Sequence, residues 1–95
     1  MLADWRIEPL TGQVIAPDGS RRHVAPRAME VLICLARRPG EAVDRKTLLD
    51  EAWGNLPHSH EALTHCVSEL RHALDDRPDD PQFLQTLPRL GYRLV

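Results

Sequence analysis

The amino-acid sequence predicts one α+β domain, with short strands at both ends of the chain and amphipathic helices between them. Its 95 residues suffice for a single domain with a modest hydrophobic core. Hydrophobic residues make up 42% of the chain and charged residues 27%, which is ordinary for a globular protein. We therefore expect residues 1–95 to form one domain.

Near the N-terminus, short segments have the composition of antiparallel strands: residues 5–7, 13–15 and 22–24. Between them lie Gly12 and the sequence Pro-Asp-Gly-Ser at 17–20, which supply the residues that tight turns favour. These segments predict a small antiparallel sheet that precedes the helices.

Two helices are predicted next. Pro26 suits the first turn of a helix that is apolar almost all round, and residues 39–40, Pro-Gly, end it. This pattern predicts a central helix. After a brief extended link at residues 42–43, Asp44 is a favourable N-cap for a second helix of about ten residues, which ends at Gly54.

The third predicted helix, which follows an N-cap at Ser59, has apolar and polar residues on opposite faces. At about 100° per residue the apolar positions fall in a narrow arc: Leu63, Val67, Leu70 and Leu74. The opposite face carries short hydrogen-bonding groups and imidazoles, where an ordinary surface helix has mainly Lys, Glu and Arg. We therefore expect this helix to pack on the core and to contact a partner with its outer face.

A short link at residues 55–58 joins the second and third helices into the frame of a helix-turn-helix unit. Residues 83–87 and 92–95 are typical of strands and flank a turn at 88–91, so they predict a β-hairpin wing. The predicted fold is a winged helix-turn-helix. Because the chain stops inside the last strand, we expect it to be the N-terminal part of a longer regulator.

Sequence motifs in a fixed order carry a family resemblance: RRPGEAVDRKTLLDEAW at 37–53, VSELRHALDD at 67–76 and QTLPRLGYRLV at 85–95. Over almost the whole chain they resemble the OmpR/PhoB-type winged-helix DNA-binding domain of bacterial transcriptional regulators. Within that family, this sequence is most similar to the CadC/ToxR-like regulators, in which an N-terminal DNA-binding domain is present without a receiver domain.

The resemblance implies a mode of action. The third helix would enter the major groove of double-stranded DNA, and the wing tip would reach the adjacent minor groove. The loop between the second and third helices would contact RNA polymerase through Asn55, Leu56, Pro57 and His58. A small interface with few cations also predicts better binding as a dimer or in tandem on paired sites.

The candidate DNA contacts lie on the third helix and on the wing: Thr64, His65, Ser68, Arg71, His72 and Arg89. Among the helix residues, His65 is the best candidate for a base edge or a phosphate. The side chain of Arg89, at the hairpin tip, suits the narrow and negative minor groove. Periodicity alone is equally consistent with a solvated face for the helix residues.

Some charged residues of the third helix have two interpretations. Arg71 either anchors a phosphate or pairs with Asp75 about one helical turn further on. Glu61 and Glu69 can accept a hydrogen bond from cytosine N4, although acids at such positions are more often solvated.

The formal net charge of -2 opposes DNA binding, because DNA-binding domains are usually basic. One short loop holds Asp75, Asp76, Asp79 and Asp80. Removing these four charges turns the net charge of -2 into +2, so a locally positive face requires that the loop points away from the DNA.

A winged-helix protein-interaction module with little DNA affinity is the alternative function. The acidic charge balance favours it. So does the third helix, which has no Lys or Arg at Thr64, His65 or Ser68, where many members of the resembled family have basic residues.

Catalytic and metal-binding functions find no support in the sequence. His65 and His72 are separated by about 10 Å along the helix axis, which is too far to share one metal ion. No nucleophile, base and orienting acid recur at a spacing typical of an enzyme, and the glycines form no phosphate-binding loop. We expect neither catalysis nor a cofactor.

The sequence also predicts the cellular compartment. Cys34 and Cys66 each lie inside a predicted amphipathic helix, which favours reduced and buried thiols. No signal-peptide pattern is present at the N-terminus, and the longest apolar run, residues 31–36, is too short to cross a bilayer. We expect a cytoplasmic domain without membrane contacts of its own, in a protein that is a candidate for membrane anchoring elsewhere.

Overall fold

A computed structural model describes residues 4–95 and confirms the predicted order of sheet, helices and hairpin. Its elements are β1 (Arg6–Glu8), β2 (Gln13–Ile15), β3 (Arg21–His23), α1 (Pro26–Ala36), β4 (Val43–Asp44), α2 (Arg45–Trp53), α3 (His60–Ala73), β5 (Leu84–Leu87) and β6 (Gly91–Leu94). The observed β1 starts one residue later than predicted and β3 one residue earlier. No helix among residues 4–95 is long and apolar enough to cross a membrane.

The N-terminal sheet has the strand order β1-β2-β3, with antiparallel pairing throughout. Val14 on β2 lies opposite Ile7 on β1 and is fully buried. Trp5 is also buried, and its ring meets the Phe83 ring edge to face at a centroid distance of 6.1 Å. This aromatic contact joins the N-terminal segment to the segment that leads into β5.

The predicted extended link before α2 is a strand of the wing sheet. Val43 and Asp44 form β4, which pairs with β6 in a sheet of order β4-β6-β5. Asp44 lies opposite Gly91, where an added β-carbon would overlap the Val43 carbonyl oxygen and lie 2.8 Å from the Asp44 Cα. Only glycine therefore allows these strands to pair closely at this point.

The helices enclose the core as their patterns predict. α1 lies against both α2 and α3 and buries residues around most of its circumference. The predicted apolar stripe of α3 is confirmed, since each of its members is at most 1% exposed: Leu63, Val67, Leu70 and Leu74. Trp53 and Tyr92 are core residues as well.

Both cysteines are buried and free, as predicted. Burial raises the pKa of the Cys34 and Cys66 thiols, which keeps them protonated near neutral pH.

The predicted helix caps are confirmed. The Asp44 carboxylate accepts a hydrogen bond from the Thr47 backbone N–H at 2.7 Å, at the start of α2. The Ser59 hydroxyl accepts one from the Ala62 backbone N–H at 3.1 Å, at the start of α3. These caps define the helix-turn-helix unit, because they determine where each helix begins.

Candidate nucleic-acid interface

The outer face of α3 is exposed along its length. A shallow groove on this face is lined by Arg45, His60, Glu61, Thr64, His65 and Ser68. It brings together Thr64, His65 and Ser68, which the sequence predicts as DNA contacts, while His72 is exposed nearer the C-terminal end of the helix. The Thr64 hydroxyl donates to the His60 carbonyl oxygen at 3.0 Å, so its lone pairs are left to accept from a ligand.

Arg45 also lines this groove, although it is not among the contacts predicted from the sequence. It is the first residue of α2, and its guanidinium carbon lies 5.3 Å from the centre of the Tyr92 ring. Because Arg45 lies beside α3, it adds a positive charge to a groove whose α3 residues include neither Lys nor Arg. Periodicity within α2 gives no sign of this contact, because it depends on how α2, α3 and β6 pack together.

Arg71 does not pair with Asp75, so that interpretation is wrong. Its Nη2 donates to the Thr86 hydroxyl at 2.6 Å and to the Leu84 carbonyl oxygen at 3.1 Å, both on β5. α3 ends at Ala73 and Asp75 has a φ of 54°, so its carboxylate leaves the helical path and pairs with Arg22 at 2.8 Å. Arg71 thus connects α3 to the wing.

Glu69 serves the fold and not a base edge. Its carboxylate accepts a hydrogen bond from the Ala25 backbone N–H at 2.6 Å, at the N-terminus of α1. The negative charge is favourable there because of the helix dipole. Glu61, by contrast, is exposed on the groove.

The acidic loop does not present all its charges to solvent. Asp76 is only 8% exposed. Its carboxylate accepts hydrogen bonds from the backbone N–H groups of Gln82 at 2.7 Å, Phe83 at 3.2 Å and Leu84 at 2.7 Å. Asp76 is therefore a structural link between the end of α3 and the wing.

The wing tip has an unusual backbone conformation. The Leu90 N–H donates to the Leu87 carbonyl oxygen at 3.0 Å, which closes a four-residue turn with Arg89 at its third position. Arg89 has a φ of 65°, in a region where turns favour glycine. Arg89 is also exposed, so its side chain is accessible at the tip of the wing.

The wing tip is held beside α2. The Arg45 backbone N–H donates to the Leu90 carbonyl oxygen at 3.1 Å. This bond and the pairing of β4 with β6 place the hairpin next to the N-terminus of α2, whose first side chain lines the groove on α3. Arg45 thus contacts the wing and also lines the groove on α3, so we take the helix face, Arg45 and the wing together as the candidate interface.

The predicted polymerase-contact loop is accessible. Residues 55–58 are all exposed, and Leu56 has 53% of its surface exposed. The Leu56 N–H donates to the Trp53 carbonyl oxygen at 2.9 Å, so the start of the loop is tied to the end of α2.

A helix-turn-helix whose second helix is exposed beside a β-hairpin defines a winged-helix domain. This chain belongs to the family described as "Transcriptional regulatory protein, C terminal", which matches residues 19–94. It is similar to the transcriptional activator CadC of Escherichia coli K12, with 30% identity over 95 residues that cover 99% of this chain and 18% of CadC. The chain thus spans less than a fifth of the length of that relative.

Solved structures agree with the family assignment. The DNA-binding domain of E. coli CadC has a TM-score of 0.86 at 29% identity, over 100% of this chain and 89% of that one. The Klebsiella pneumoniae RstA DNA-binding domain, solved in complex with the RstA box, has a TM-score of 0.84 at 24% identity, over 100% and 94% of the two chains. The predicted OmpR/PhoB-type fold and the similarity to CadC-like regulators are confirmed.

Proposed function

We propose that this domain binds double-stranded DNA in a sequence-dependent manner, as the output module of a bacterial transcriptional regulator. The observation that carries the proposal is the groove on α3, where Thr64, His65 and Ser68 lie together beside Arg45. In this proposal α3 enters the major groove, which admits an α-helix, and the wing tip reaches the minor groove.

The side chains of the groove suit close contact with DNA. The Ser68 hydroxyl and the His65 imidazole are short and can donate or accept at a base edge or a phosphate. The Thr64 hydroxyl already donates to the His60 carbonyl oxygen, so it can accept from a base donor. Their exposure means that no buried contact must break before they bind. His72 lies further along α3, outside the groove on this helix, and suits contact with a DNA phosphate at the edge of the major groove.

The local charges reduce the objection raised by the net charge of -2, although Glu61 adds one carboxylate to the groove that Arg45 lines. The Asp76 carboxylate accepts hydrogen bonds from backbone N–H groups, and the Asp75 carboxylate forms a salt bridge with Arg22. Arg45 and Arg89, on the groove and on the wing tip, supply cations close to the proposed DNA path. Phosphate contacts of this kind contribute most of the affinity for DNA.

The cellular setting and the remaining partners follow from the same proposal. A domain that binds the bacterial chromosome acts in the cytoplasm. The exposed loop at residues 55–58 is the surface that we assign to RNA polymerase. We also propose paired binding on half-sites about one helical turn, roughly 10 base pairs, apart. Analytical ultracentrifugation on cognate DNA tests the pairing, and one domain per site at saturation contradicts it.

Selection from a random pool of duplex DNA, followed by anisotropy titration of the enriched duplex, tests the main proposal. Two or three arginine–phosphate contacts give a log-log salt slope of about -1.8 to -2.7, so a rise from about 50 to about 200 mM salt should weaken binding about 12-fold to 40-fold. No enriched motif and no salt dependence would instead support a protein-interaction module.

A further inference from the structure

We propose that Arg71 and Asp76 are positioning residues that hold the wing against α3, so that helix and wing meet DNA as one rigid unit. The inference rests on the proposed function, because it concerns how those two elements reach the DNA together. It assigns to Arg71 a role other than the phosphate contact or helical ion pair that its sequence position suggests.

Asp76 forms one half of this connection. Its backbone N–H donates to the Arg71 carbonyl oxygen at 2.8 Å, which places Asp76 directly at the end of α3. Its carboxylate accepts from consecutive N–H groups at residues 82–84, the segment that leads into β5. Hydrogen bonds to a charged carboxylate are stronger than neutral ones, and this carboxylate is nearly excluded from water.

Arg71 forms the other half. It projects from the last turns of α3 and bonds to the Thr86 hydroxyl and the Leu84 carbonyl oxygen, further along β5 than the contacts of Asp76. Thr86 lies opposite Tyr92 on β6, whose ring packs against Arg45. The guanidinium of Arg71 therefore links the recognition helix to the middle of the wing.

The geometry of the wing explains why these contacts matter for binding. Leu84 is fully buried and anchors the base of β5, while Arg89 is at the tip. The three residue steps of β5 span about 10 Å at about 3.3 Å per residue, and the turn at the tip adds little to this length, so a tilt of about 10° at the base would move the tip by about 2 Å. Such a displacement would stretch a hydrogen bond of about 2.9 Å well beyond its normal range and would separate the Arg89 side chain from a minor-groove site.

Thr86→Val distinguishes positioning from direct contact. The substitution removes the hydroxyl that accepts from Arg71 but changes neither the charge of Arg71 nor the volume at residue 86 appreciably. If Arg71 acts on DNA only through a phosphate, Thr86→Val leaves affinity unchanged. If Arg71 positions the wing, affinity should fall about threefold to tenfold, the usual range for one lost hydrogen bond. Thr86→Ser retains the hydroxyl and should bind like the wild type.

A double-mutant cycle between Thr86→Val and Arg89→Ala makes the test specific to the wing. If the wing is no longer held against α3, the Arg89 side chain contributes less to DNA affinity. We therefore expect the fold-loss of affinity caused by Arg89→Ala to be at least three times smaller in the Thr86→Val background than in the wild type. A difference of less than threefold between the two backgrounds would overturn the proposal. Thermal melting of each variant verifies that the fold is retained.

A measurement without DNA separates this inference from the proposed function. Backbone residual dipolar couplings of the 95-residue chain report the orientation of β5 and β6 relative to α3. We expect Thr86→Val and Asp76→Asn to change or average the wing couplings and to leave those of α3 intact. Unchanged wing couplings in both variants would overturn the inference, even if the wild type binds DNA well. Failure of the wild type to bind any duplex would overturn the proposed function, while the couplings would still decide the positioning role.

Discussion

The guanidinium carbon of Arg45 lies 5.3 Å from the centre of the Tyr92 ring, so the first residue of α2 packs against the last strand of the wing. The same arginine lines the groove on α3. A cation held at the junction of α2, α3 and the wing is well placed to contact a phosphate between the two DNA grooves.

Arg45→Ala should therefore weaken DNA binding and reduce the log-log salt slope by about one unit. Arg45→Lys should retain most of the salt slope, because it keeps the charge. The measurement is anisotropy titration of the selected duplex at several salt concentrations.

Lys46→Ala is the matched control for this prediction. Lys46 is the next residue, and its ammonium group pairs with Asp50 at 2.9 Å on the exposed side of α2. The substitution Lys46→Ala removes one positive charge, as Arg45→Ala does, from the neighbouring position in the chain. If both alanine variants lower the salt slope equally, Arg45 acts only through the net charge of the domain and not through contact.

Ser68→Glu should nearly abolish DNA binding without changing thermal stability. Ser68 is exposed on the groove, so a carboxylate there would lie beside phosphates in the complex but remain solvated in the free domain. Anisotropy and melting of the same preparation check both halves of the prediction. Normal binding by this variant would exclude Ser68 from the interface.

Val67→Ala is the complementary change on the buried face of the same helix. Val67 is only 1% exposed, and its truncation should cost about 0.5 to 3 kcal/mol in the free energy of unfolding by opening a cavity under α3. DNA affinity of the folded fraction should change little. A variant that melts like the wild type would contradict the observed packing of α3.

Arg89→Gly should separate binding from stability at the wing tip. Glycine adopts the φ of 65° observed at this position without strain, so melting should not move to lower temperature. Affinity should fall by about 1 to 3 kcal/mol, with a salt slope smaller by about one unit, because the minor-groove cation is lost. Arg89→Ala should lose the same affinity while keeping the backbone strain. An unchanged affinity in both variants would remove the wing tip from the interface.

Asp44→Asn should show a pH-dependent effect on stability. The hydrogen bond from the Thr47 backbone N–H holds the pKa of Asp44 below its ordinary value of 3.8. A lowered pKa in the folded state means that ionisation of Asp44 stabilises the fold above pH 3.8, and that this contribution is lost as pH falls through the folded-state pKa.

Asparagine also caps a helix but does not titrate, so it provides the comparison. The wild type should be more stable than Asp44→Asn at neutral pH, and the difference should shrink as the pH falls below about 4. Urea unfolding of both proteins at a series of pH values measures this difference. A gap that stays constant down to pH about 2 would show that the charge of Asp44 does not contribute.

Much of the fold is predictable from the sequence because its signals are local. Asp44 and Ser59 act as caps through hydrogen bonds to backbone N–H groups a few residues away. The buried stripe of α3 follows from helical periodicity alone. For the same reason the exposure of Thr64, His65 and Ser68 was predictable, although their gathering in one groove with Arg45 was not.

Sequence alone thus determined the order of elements, the helix starts and the buried face of α3, since each depends on neighbours along the chain. Tertiary structure decided the partners of the long polar side chains. Arg71 reaches Thr86, Glu69 reaches Ala25 and Asp76 reaches the start of the wing, although sequence position alone offered Arg71 a nearer partner in Asp75. The physical reason is that long polar side chains bind whichever donors and acceptors packing leaves unsatisfied, and only the folded chain brings those groups within reach.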